Sequence, residues 1–402
     1  MNHQSLSAQL LGLRVALVHY WYVRQRGGER VLDVLAEMFP QADIFVLLYD
    51  PAALSDAVRG HRVRASFIQK LPWAKKCYPA LLPLFPLALE QLRLDDYDLV
   101  ISHEAGPAKG IITRAATCHL CYCHTPMRYL WDMYHSHRRA APLGAMGRSL
   151  YALAAHYLRQ WDYLSAARVD DFAASSQNGA SRIRKYYRRT SEVIYPPVDV
   201  SAFTPAESHE DFYLVISPLV PYKRVDLAIA ACNLLSRPLV IIGEGPMRKS
   251  LEKTAGPTIR FLGYQPGAVV RDHYRHCRAF LFSGEEDIGL TPIEAQASGR
   301  PVIAFGHGGA LETVIGAFSH TKDLERATGL FFDEPTPQSL ADAILRFEAV
   351  EDRFSSSFIR AHAEQFDKRH FVARMGDFVS RKLAEHRATT HLPETRWAYT
   401  SR

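Results

Sequence analysis

Apolar segments of strand length alternate with helical patterns along most of this chain, and this alternation constrains the fold more than any other feature. Arg14-Val-Ala-Leu-Val-His-Tyr-Trp21 has the character of a buried strand, and a glycine turn and a helical run from Val31 to Phe39 follow it. Such alternation predicts a mostly parallel sheet with helices on both faces. Two prolines in Tyr195-Pro-Pro-Val-Asp199 interrupt the pattern, and a second series then begins. The sequence therefore predicts two doubly wound α/β halves with a ligand-binding cleft between them.

Length and composition are those of an ordinary globular protein. The chain has 402 residues, which corresponds to two or three domains at about 100–200 residues each. Hydrophobic residues make up 48% and charged residues 22%, so a disordered or fibrous chain is excluded. Six cysteines are too few for a disulfide scaffold and indicate a reducing compartment. We expect neither a membrane span nor a signal peptide, and the net charge of +6 favours anionic partners.

The segment from Gly284 to Ala295 carries the strongest chemical signal. It reads Gly-Glu-Glu-Asp-Ile-Gly-Leu-Thr-Pro-Ile-Glu-Ala, follows a predicted strand and opens a predicted helix. Gly289 permits a close backbone approach, and the N–H groups from Leu290 onward are free at the helix start, which makes an anion site. Glu286 and Glu294 flank this site, and carboxylates suit hydrogen bonds from sugar hydroxyls better than they suit phosphate. A solvated helix start would explain the neighbouring acids but not the whole ordered string.

The seven residues between Glu286 and Glu294 give a spacing that resembles the E-x7-E motif of retaining glycosyltransferase family 4. Other segments between about Arg14 and Phe347 look like the same family: Gly27-Gly28-Glu29, Ser217-Pro-Leu-Val-Pro-Tyr-Lys223-Arg224, Gly243-Glu-Gly245-Pro246, Phe261-Leu-Gly263 and Gly308-Gly-Ala-Leu-Glu-Thr313. Three segments look closest to the GDP-mannose-dependent mannosyltransferases of O-antigen and exopolysaccharide assembly: Cys123-His124-Thr-Pro-Met-Arg128, Tyr195-Pro-Pro-Val-Asp199 and Val220-Pro-Tyr-Lys-Arg224.

This resemblance implies the GT-B fold, in which two Rossmann-like domains face each other across a cleft. Residues 1–205 are expected to form the acceptor-binding domain and residues 206–365 the sugar-nucleotide-binding domain. A helix at about 366–390 is expected to pack back on the first domain. The implied activity is retaining transfer of mannose from GDP-mannose to a polyprenyl-diphosphate-linked glycan in bacterial polysaccharide assembly. No metal, no other cofactor and no nucleic-acid partner is expected.

The resemblance also implies roles for individual residues of the second domain. Glu286 is expected to bind hydroxyls of the transferred sugar, and Glu294 those of the ribose. The backbone N–H groups of Gly289 and Leu290 are expected to bind the diphosphate. Lys223 is expected to neutralise the diphosphate as it leaves, which is where negative charge develops.

Further positions follow from the same resemblance. Gly28 is expected to let the diphosphate or the acceptor approach the backbone, and backbone groups near Gly263 are expected to recognise the base. The family usually has an arginine where this chain has Pro218, so the clamp on the diphosphate lacks one cation. Arg224 is the candidate replacement, although its position next to Lys223 can turn it away from the ligand.

His124 follows an apolar strand in a His-x-Pro context, and the resemblance places it near the reacting face of the sugar, holding a hydroxyl or the acceptor. A hydrogen-bonded core histidine is the alternative. The preceding Cys118-His-Leu-Cys121-Tyr-Cys123 has the composition of a metal site, but no second Cys or His pair follows at zinc-finger spacing. Because Cys121 and Cys123 share one strand face and His124 points to the other, buried thiols are the better interpretation.

Two stretches without acidic residues, 57–89 and 133–161, combine basic with apolar side chains. Such stretches suit an anionic membrane surface, which a lipid-linked acceptor would require. We therefore expect a cytoplasmic protein that associates peripherally with the inner face of the plasma membrane. The residues expected to bind the membrane, here called the basic surface, are Lys70, Trp73, Lys75 and Lys76. An ordinary solvated helix face is the alternative.

Two other enzymatic activities remain open. The same fold could use UDP-glucose or another sugar nucleotide as donor. A sugar-nucleotide epimerase shares the two-domain architecture, but it needs an acid/base pair for proton abstraction next to the sugar, and the E-x7-E string argues against it. A nucleic-acid-binding protein is disfavoured because no helix-turn-helix, zinc-finger or aromatic RNA-binding pattern is present.

Overall fold

The computed structural model describes residues 12–25, 27–104, 106–140, 144–317 and 324–390. Residues 1–11, on which the expectation about a signal peptide depends, lie outside the described residues. The described chain forms two compact units. One contains the chain through Tyr195 together with the chain from Phe371 onward, and the other is Pro196–His370.

The division at Tyr195 and Pro196 precedes the boundary expected at 205/206 because the intervening segment packs on the second unit. Val198 forms a parallel bridge with Asp367. The Arg360 guanidinium donates a hydrogen bond to the Phe203 carbonyl at 2.8 Å.

The first unit is built on a seven-stranded parallel sheet in the order β3-β2-β1-β4-β5-β6-β7. Its strands are β1 (Val15–Tyr22), β2 (Asp43–Tyr49), β3 (Val63–Ala65), β4 (Leu99–Glu104), β5 (Cys118–Cys123), β6 (Asp171–Ala174) and β7 (Ser191–Val193). Every residue of β5 is buried, as expected for a central parallel strand with helices on both faces.

The helices of the first unit before its crossover are α1 (Gly27–Met38), α2 (Asp56–Arg59), α3 (Ala74–Cys77), α4 (Phe85–Glu90), α5 (Tyr134–Ala140), α6 (Ala145–Ser165) and α7 (Gln177–Tyr187). Helix α1 begins at Gly27, so the predicted glycine turn is the first turn of the helix. The expected start at Val31 was wrong for this reason.

The second unit repeats the plan with the strand order β10-β9-β8-β11-β12-β14-β13, again parallel. Its strands are β8 (Tyr213–Ile216), β9 (Leu239–Ile242), β10 (Ile259–Gly263), β11 (Ala279–Phe282), β12 (Val302–Phe305), β13 (Gly316–Ala317) and β14 (Gly329–Phe332). Its helices are α8 (Val225–Leu235), α9 (Arg248–Glu252), α10 (Gly267–His276), α11 (Leu290–Ala297), α12 (Ala310–Thr313), α13 (Pro337–Glu348) and α14 (Ser356–Ala363).

The last described helix, α15 (Lys368–Thr390), returns the chain to the first unit. Its apolar residues recur at helical spacing and are buried in the same core as strands β1 and β4. These residues are Phe371, Met375, Phe378, Val379 and Leu383. The packing of this stripe, rather than intrinsic helix propensity, accounts for the position of α15.

In each sheet the strand order reverses once, between β1 and β4 and between β8 and β11. Ligands of open α/β sheets bind outside the carboxyl ends of the strands at such switch points. The predicted pair of doubly wound parallel sheets is confirmed, and the two switch points are the positions where ligands are expected to bind.

The structure also bears on cysteines and membrane spans. All six cysteines are free thiols, and Cys118, Cys121 and Cys123 are buried in β5, as predicted. Among the described helices, none combines the length and the apolar character needed to cross a bilayer.

Candidate functional site

Two loops come together at the switch point of the second unit. One follows β8 and contains the turn Pro221–Lys223, and the other follows β11. The Ser283 hydroxyl donates to the Arg224 carbonyl at 2.8 Å and ties the loops to each other. A Cβ atom on Gly284 would lie 2.8 Å from the Tyr222 carbonyl oxygen, so only glycine allows this close approach.

The Lys223 ammonium and the Glu286 carboxylate form an ion pair across these two loops. Their side chains are 13% and 20% exposed, so the pair is poorly solvated, and its charges interact more strongly than they would in bulk water. With Gly284 they line a small pocket at the carboxyl ends of β8 and β11. The structure thus brings together the two residues expected to meet the leaving diphosphate and the transferred sugar.

Gly289 ends the second loop in the left-handed region, with φ at 73°. A Cβ atom there would lie 2.7 Å from the ring of Phe282, which adds a steric reason for glycine. Helix α11 starts at Leu290 without a side-chain cap, so its first turn presents backbone N–H groups at the switch point. The loop after β11, which contains Glu286, is held in place because the Gly309 N–H donates to the Glu286 carbonyl at 2.8 Å. A helix start of this kind is suited to binding an anion, and the binding of a diphosphate there stays a prediction.

Glu294 lies one turn into α11 and is 5% exposed. A carboxylate at this depth needs hydrogen-bond donors to offset lost hydration. The hydroxyl of Tyr274, from α10, donates to Glu294 Oε2 at 2.9 Å. Sequence reasoning missed Tyr274, since a tyrosine in an amphipathic helix carries no local sign of its partner.

Arg224 and Gly263 take separate places in the second unit. Arg224 adopts left-handed backbone geometry before α8, and its guanidinium pairs with the Asp226 carboxylate at 3.1 Å. Arg224 thus has a carboxylate partner of its own, and its role as the replacement cation stays a prediction. Gly263, with φ at 71°, ends β10, two strands from β8, and its carbonyl accepts the Gly243 N–H at 2.9 Å.

In the first unit, three histidines cluster toward the carboxyl ends of β1, β4 and β5. The His19 Nδ1 atom is 3.0 Å from the His103 carbonyl oxygen, and the two rings stack with centroids 5.1 Å apart. The Nε2 atoms of His103 and His124 are 2.8 Å apart. Glu29, buried in the first turn of α1, has a carboxylate oxygen 4.0 Å from His19 Nε2. Four polar side chains therefore converge on this switch point.

Burial is the main cause that lowers the pKa of His124 to about 3, and the neighbouring His19 lowers it further. The pKa of fully buried His103 also lies well below its ordinary value, again chiefly through burial. Both rings are therefore neutral at physiological pH. His124 was a predicted site residue, whereas His19 and His103 were not, although each lies near the carboxyl end of a predicted strand.

Gly28 lies in the first turn of α1, at the same switch point. A Cβ atom built on it would meet nothing within 4 Å, so the fold itself does not require glycine here. Open space above the backbone at a switch point is consistent with the close ligand approach expected at Gly28.

The residues of the basic surface are all exposed, and Trp73 is 76% exposed with its backbone in the left-handed region. Although the stretch 57–89 contains no acid, the fold places Asp50 3.2 Å from Lys75. Asp43 likewise lies 2.8 Å from Arg64. The positive charge that the linear sequence indicates is therefore partly neutralised by acids from other elements.

Helix α6, within the second acid-free stretch, exposes a row of large apolar side chains. Each is more than half exposed, and their spacing of four, three, four and seven residues puts them on one helix face. They are Met146, Leu150, Leu153, Tyr157 and Leu164. An uncovered apolar face of this length is typical of a surface that contacts another body.

One group of side chains in the described part of the chain has the composition of a metal site. Potential ligand atoms of Cys118, Asp170 and His386 lie within 4.8 Å of one another. Burial, aided by Asp170, raises the pKa of the Cys118 thiol to about 12, which disfavours the thiolate that metals prefer. The group lies near the start of β5, away from the carboxyl ends of the strands.

Two family models match this chain in succession. Residues 25–202 match the model described as Glycosyltransferase Family 4, and residues 200–365 match the model described as Glycosyl transferases group 1. The two matches meet at residues 200–202, shortly after the chain passes from the first unit to the second at Tyr195 and Pro196, and together they extend over most of the described chain.

Curated relatives share part of the sequence. A D-inositol 3-phosphate glycosyltransferase from Mycobacteroides abscessus is 26% identical over 237 residues, which are 52% of this chain and 51% of that protein. A GDP-mannose-dependent alpha-(1-6)-phosphatidylinositol monomannoside mannosyltransferase from Mycobacterium tuberculosis is 30% identical over 192 residues, 40% of this chain and 48% of that protein. The chain thus spans about half the length of the curated relatives it matches.

Solved structures share the fold over nearly the whole chain. Anabaena HepE, in complex with UDP and glucose, superposes with a TM-score of 0.65 at 16% identity, covering 92% of this chain and 99% of HepE. Sucrose-phosphate synthase from Thermosynechococcus elongatus superposes with a TM-score of 0.67 at 16% identity, covering 93% and 100%. At such identity these similarities show the architecture alone.

Proposed function

We propose that this chain, which combines a glycosyltransferase family 4 domain with a glycosyl transferases group 1 domain on a GT-B fold, is a retaining glycosyltransferase with a sugar-nucleotide donor. The main support is the geometry at one place in the second unit. An ammonium and a carboxylate, Lys223 and Glu286, meet beside the uncapped start of α11 at the switch point of the second unit. Such a site offers positive charge for a diphosphate and a carboxylate for sugar hydroxyls.

The ion pair between Lys223 and Glu286 suggests how the site accepts its donor. The incoming diphosphate brings its own negative charge to Lys223, and the start of α11 adds the positive end of a helix dipole. Glu286 is then released to accept hydrogen bonds from hydroxyls of the transferred sugar. Charge on the leaving diphosphate grows in the transition state, so the same two groups lower the barrier to transfer.

The acceptor hydroxyl is proposed to attack on the face from which the diphosphate departs, which retains the anomeric configuration. The leaving diphosphate itself takes the proton of that hydroxyl, so no protein base is needed. Positive charge comes from Lys223 and the start of α11, and for this reason we propose a reaction without a metal. Transfer should continue at the same rate when a chelator such as EDTA is present.

The proposed donor is GDP-mannose. Support comes from the segments around His124, Asp199 and Lys223 that look like those of mannosyltransferases, and from the Mycobacterium tuberculosis relative that is named for GDP-mannose. Donors such as UDP-glucose are the alternative, because backbone groups near Gly263 would recognise the base and leave little side-chain evidence of its identity.

The proposed acceptor is a glycan on a polyprenyl diphosphate, presented at the inner face of the plasma membrane. The exposed apolar row of α6 and the basic surface support a protein that rests on an anionic bilayer. The first unit, which contains both surfaces, would then bind the acceptor, while the second unit binds the donor.

A donor panel tests the proposal. Purified protein is incubated with GDP-mannose, UDP-glucose and related sugar nucleotides together with detergent-extracted lipid acceptors, and the products are read by mass spectrometry. We expect one hexose to be added to the lipid fraction, with GDP-mannose the best donor and the Glu286→Ala variant inactive. Conversion of a donor without any acceptor would instead identify an epimerase, and no product from any donor would reject the proposal.

A further inference from the structure

The histidine cluster of the first unit contains a proton arrangement that its contacts determine. The His103 carbonyl oxygen can only accept a hydrogen bond, so His19, 3.0 Å away, carries a proton on Nδ1. This bond and the stacking of the two rings, which are inclined by 15°, hold the end of β4 against β1. His103 is consequently fixed in both backbone and ring position.

The contact between His103 and His124 allows a single proton between two nitrogen atoms. Their Nε2 atoms are 2.8 Å apart, so one ring must donate and the other must accept. Two charged rings at this distance would repel each other in a site where burial already disfavours charge. Both rings of the pair are therefore neutral, and one of them donates its Nε2 proton to the other.

The surroundings of the other ring nitrogen of His103, Nδ1, determine which of the two rings donates the hydrogen bond. His103 Nδ1 is buried and finds no hydrogen-bond partner among the described residues. If it carried the proton, a buried N–H group would be left unpaired, which folded proteins avoid more strictly than an unused acceptor. His103 must then carry its proton on Nε2 and donate it to His124. His124 accepts through Nε2 and keeps its own proton on Nδ1.

We propose that His103 is a positioning residue that holds His124 in the Nδ1–H tautomer, so that His124 offers its ligand a hydrogen-bond donor. This inference rests on the proposed function insofar as it assumes a ligand at His124. An N–H donor suits an oxygen of a sugar hydroxyl or of a phosphate. A ring whose Nε2 lone pair is occupied and whose Nδ1 is protonated cannot remove the proton of the acceptor. His124 therefore orients its ligand and is not the base of the reaction.

Nuclear magnetic resonance of 15N-histidine-labelled protein tests the assignment directly, because the chemical shifts of ring nitrogens distinguish the two neutral tautomers. His124 is identified by the signals lost in His124→Asn. In the wild type at neutral pH, we expect His124 as the Nδ1–H tautomer and His103 as the Nε2–H tautomer. The reverse pattern, or a charged His124 ring, would overturn the proposal.

Variants at His103 add a functional readout. His103→Gln keeps an N–H donor near the Nε2 position, whereas His103→Leu removes it. We expect His103→Leu to convert His124 to a mixture of tautomers and to lower kcat about 10-fold to 100-fold, with KM for the sugar nucleotide changed less than 3-fold. His103→Gln should recover the Nδ1–H signal and most of the rate.

A matched control comes from a second buried histidine on β5. His119 bonds to the Ser102 hydroxyl at 2.8 Å and to the Arg168 carbonyl at 3.1 Å. His119→Leu should destabilise the fold like His103→Leu while leaving the tautomer of His124 unchanged. If both variants lower kcat equally, or if His103→Leu leaves the His124 signal unaltered, His103 is only a core residue. The tautomer measurement needs no donor or acceptor, so it stands even if no transfer activity is found.

Discussion

Replacement of Glu294 by alanine separates nucleotide binding from sugar transfer. Glu294 is 5% exposed and would accept hydrogen bonds from ribose hydroxyls. Hydrogen bonds to a charged group contribute about 1.5–3 kcal/mol each, and part of this is recovered by water that enters the vacated space. We therefore expect Glu294→Ala to weaken GDP binding by about 1–3 kcal/mol, which is roughly 5-fold to 150-fold in Kd.

The same substitution also affects folding, because the Tyr274 hydroxyl loses the carboxylate to which it donates at 2.9 Å. Tyr274→Phe removes that hydroxyl and keeps the carboxylate, so it is the matched control. It should cost about 1 kcal/mol of unfolding free energy and leave the Kd for GDP within a few-fold. Thermal unfolding of both variants shows how much of any binding loss is a folding effect.

Isothermal titration calorimetry with GDP, followed by activity assays, gives the two readouts. Glu286→Ala should abolish transfer while GDP binding stays nearly intact, because Glu286 is expected to bind the transferred sugar, which GDP lacks. Glu294→Ala should have its main effect on the affinity for GDP, which should be weakened. Full turnover by Glu286→Ala, or unchanged GDP affinity in Glu294→Ala, would refute the roles given to the two carboxylates.

Further expected outcomes concern charge, backbone conformation, membrane binding and pH. Lys223→Met should lower kcat by about 10²–10³-fold in steady-state assays, since it removes charge that stabilises the leaving diphosphate, and Lys223→Arg should restore part of the rate. Gly289→Ala should cost about 1–3 kcal/mol in chemical denaturation because φ is 73°, whereas Gly28→Ala should leave stability unchanged and reduce activity. Reversing the three lysine charges of the basic surface should reduce pelleting with anionic liposomes, and high salt should release the wild type; equal pelleting of both proteins would reject that surface. Burial lowers the pKa of His119 to about 4 and that of His124 to about 3, so below pH 6.5 the unfolded chain binds protons that the folded chain does not. Stability should therefore fall between pH 6.5 and pH 4, and a flat denaturation midpoint over that range would contradict this.

Features encoded by local sequence were predictable. The apolar segments predicted the central strands of both sheets, because strands buried on both faces need continuous apolar runs. The spacing of Glu286 and Glu294 around Gly289 placed both carboxylates beside the start of α11, since a loop and one helical turn determine that geometry. The left-handed backbone at Gly289 belongs to the same local signal.

Features created by strand order were not predictable from local sequence. His19, His103 and His124 are far apart in the chain and meet only because β1, β4 and β5 are neighbours in the sheet. The Tyr274 hydroxyl, which donates to Glu294, likewise comes from a separate helix, α10, that the fold places beside α11. For the basic surface, the linear sequence overstated the positive charge, because the fold brings Asp50 to Lys75 from outside the acid-free stretch.

The proposed function requires that the second unit bind a sugar nucleotide and support transfer with retention. The most direct test is the anomeric configuration of the transferred sugar, determined by nuclear magnetic resonance of the isolated glycolipid product. With GDP-mannose and a polyprenyl-diphosphate glycan, we predict a new linkage of the same configuration as the bond in the donor, formed by the wild type and not by Glu286→Ala. A product of inverted configuration, or equal product from Glu286→Ala, would contradict the mechanism proposed for Lys223 and Glu286.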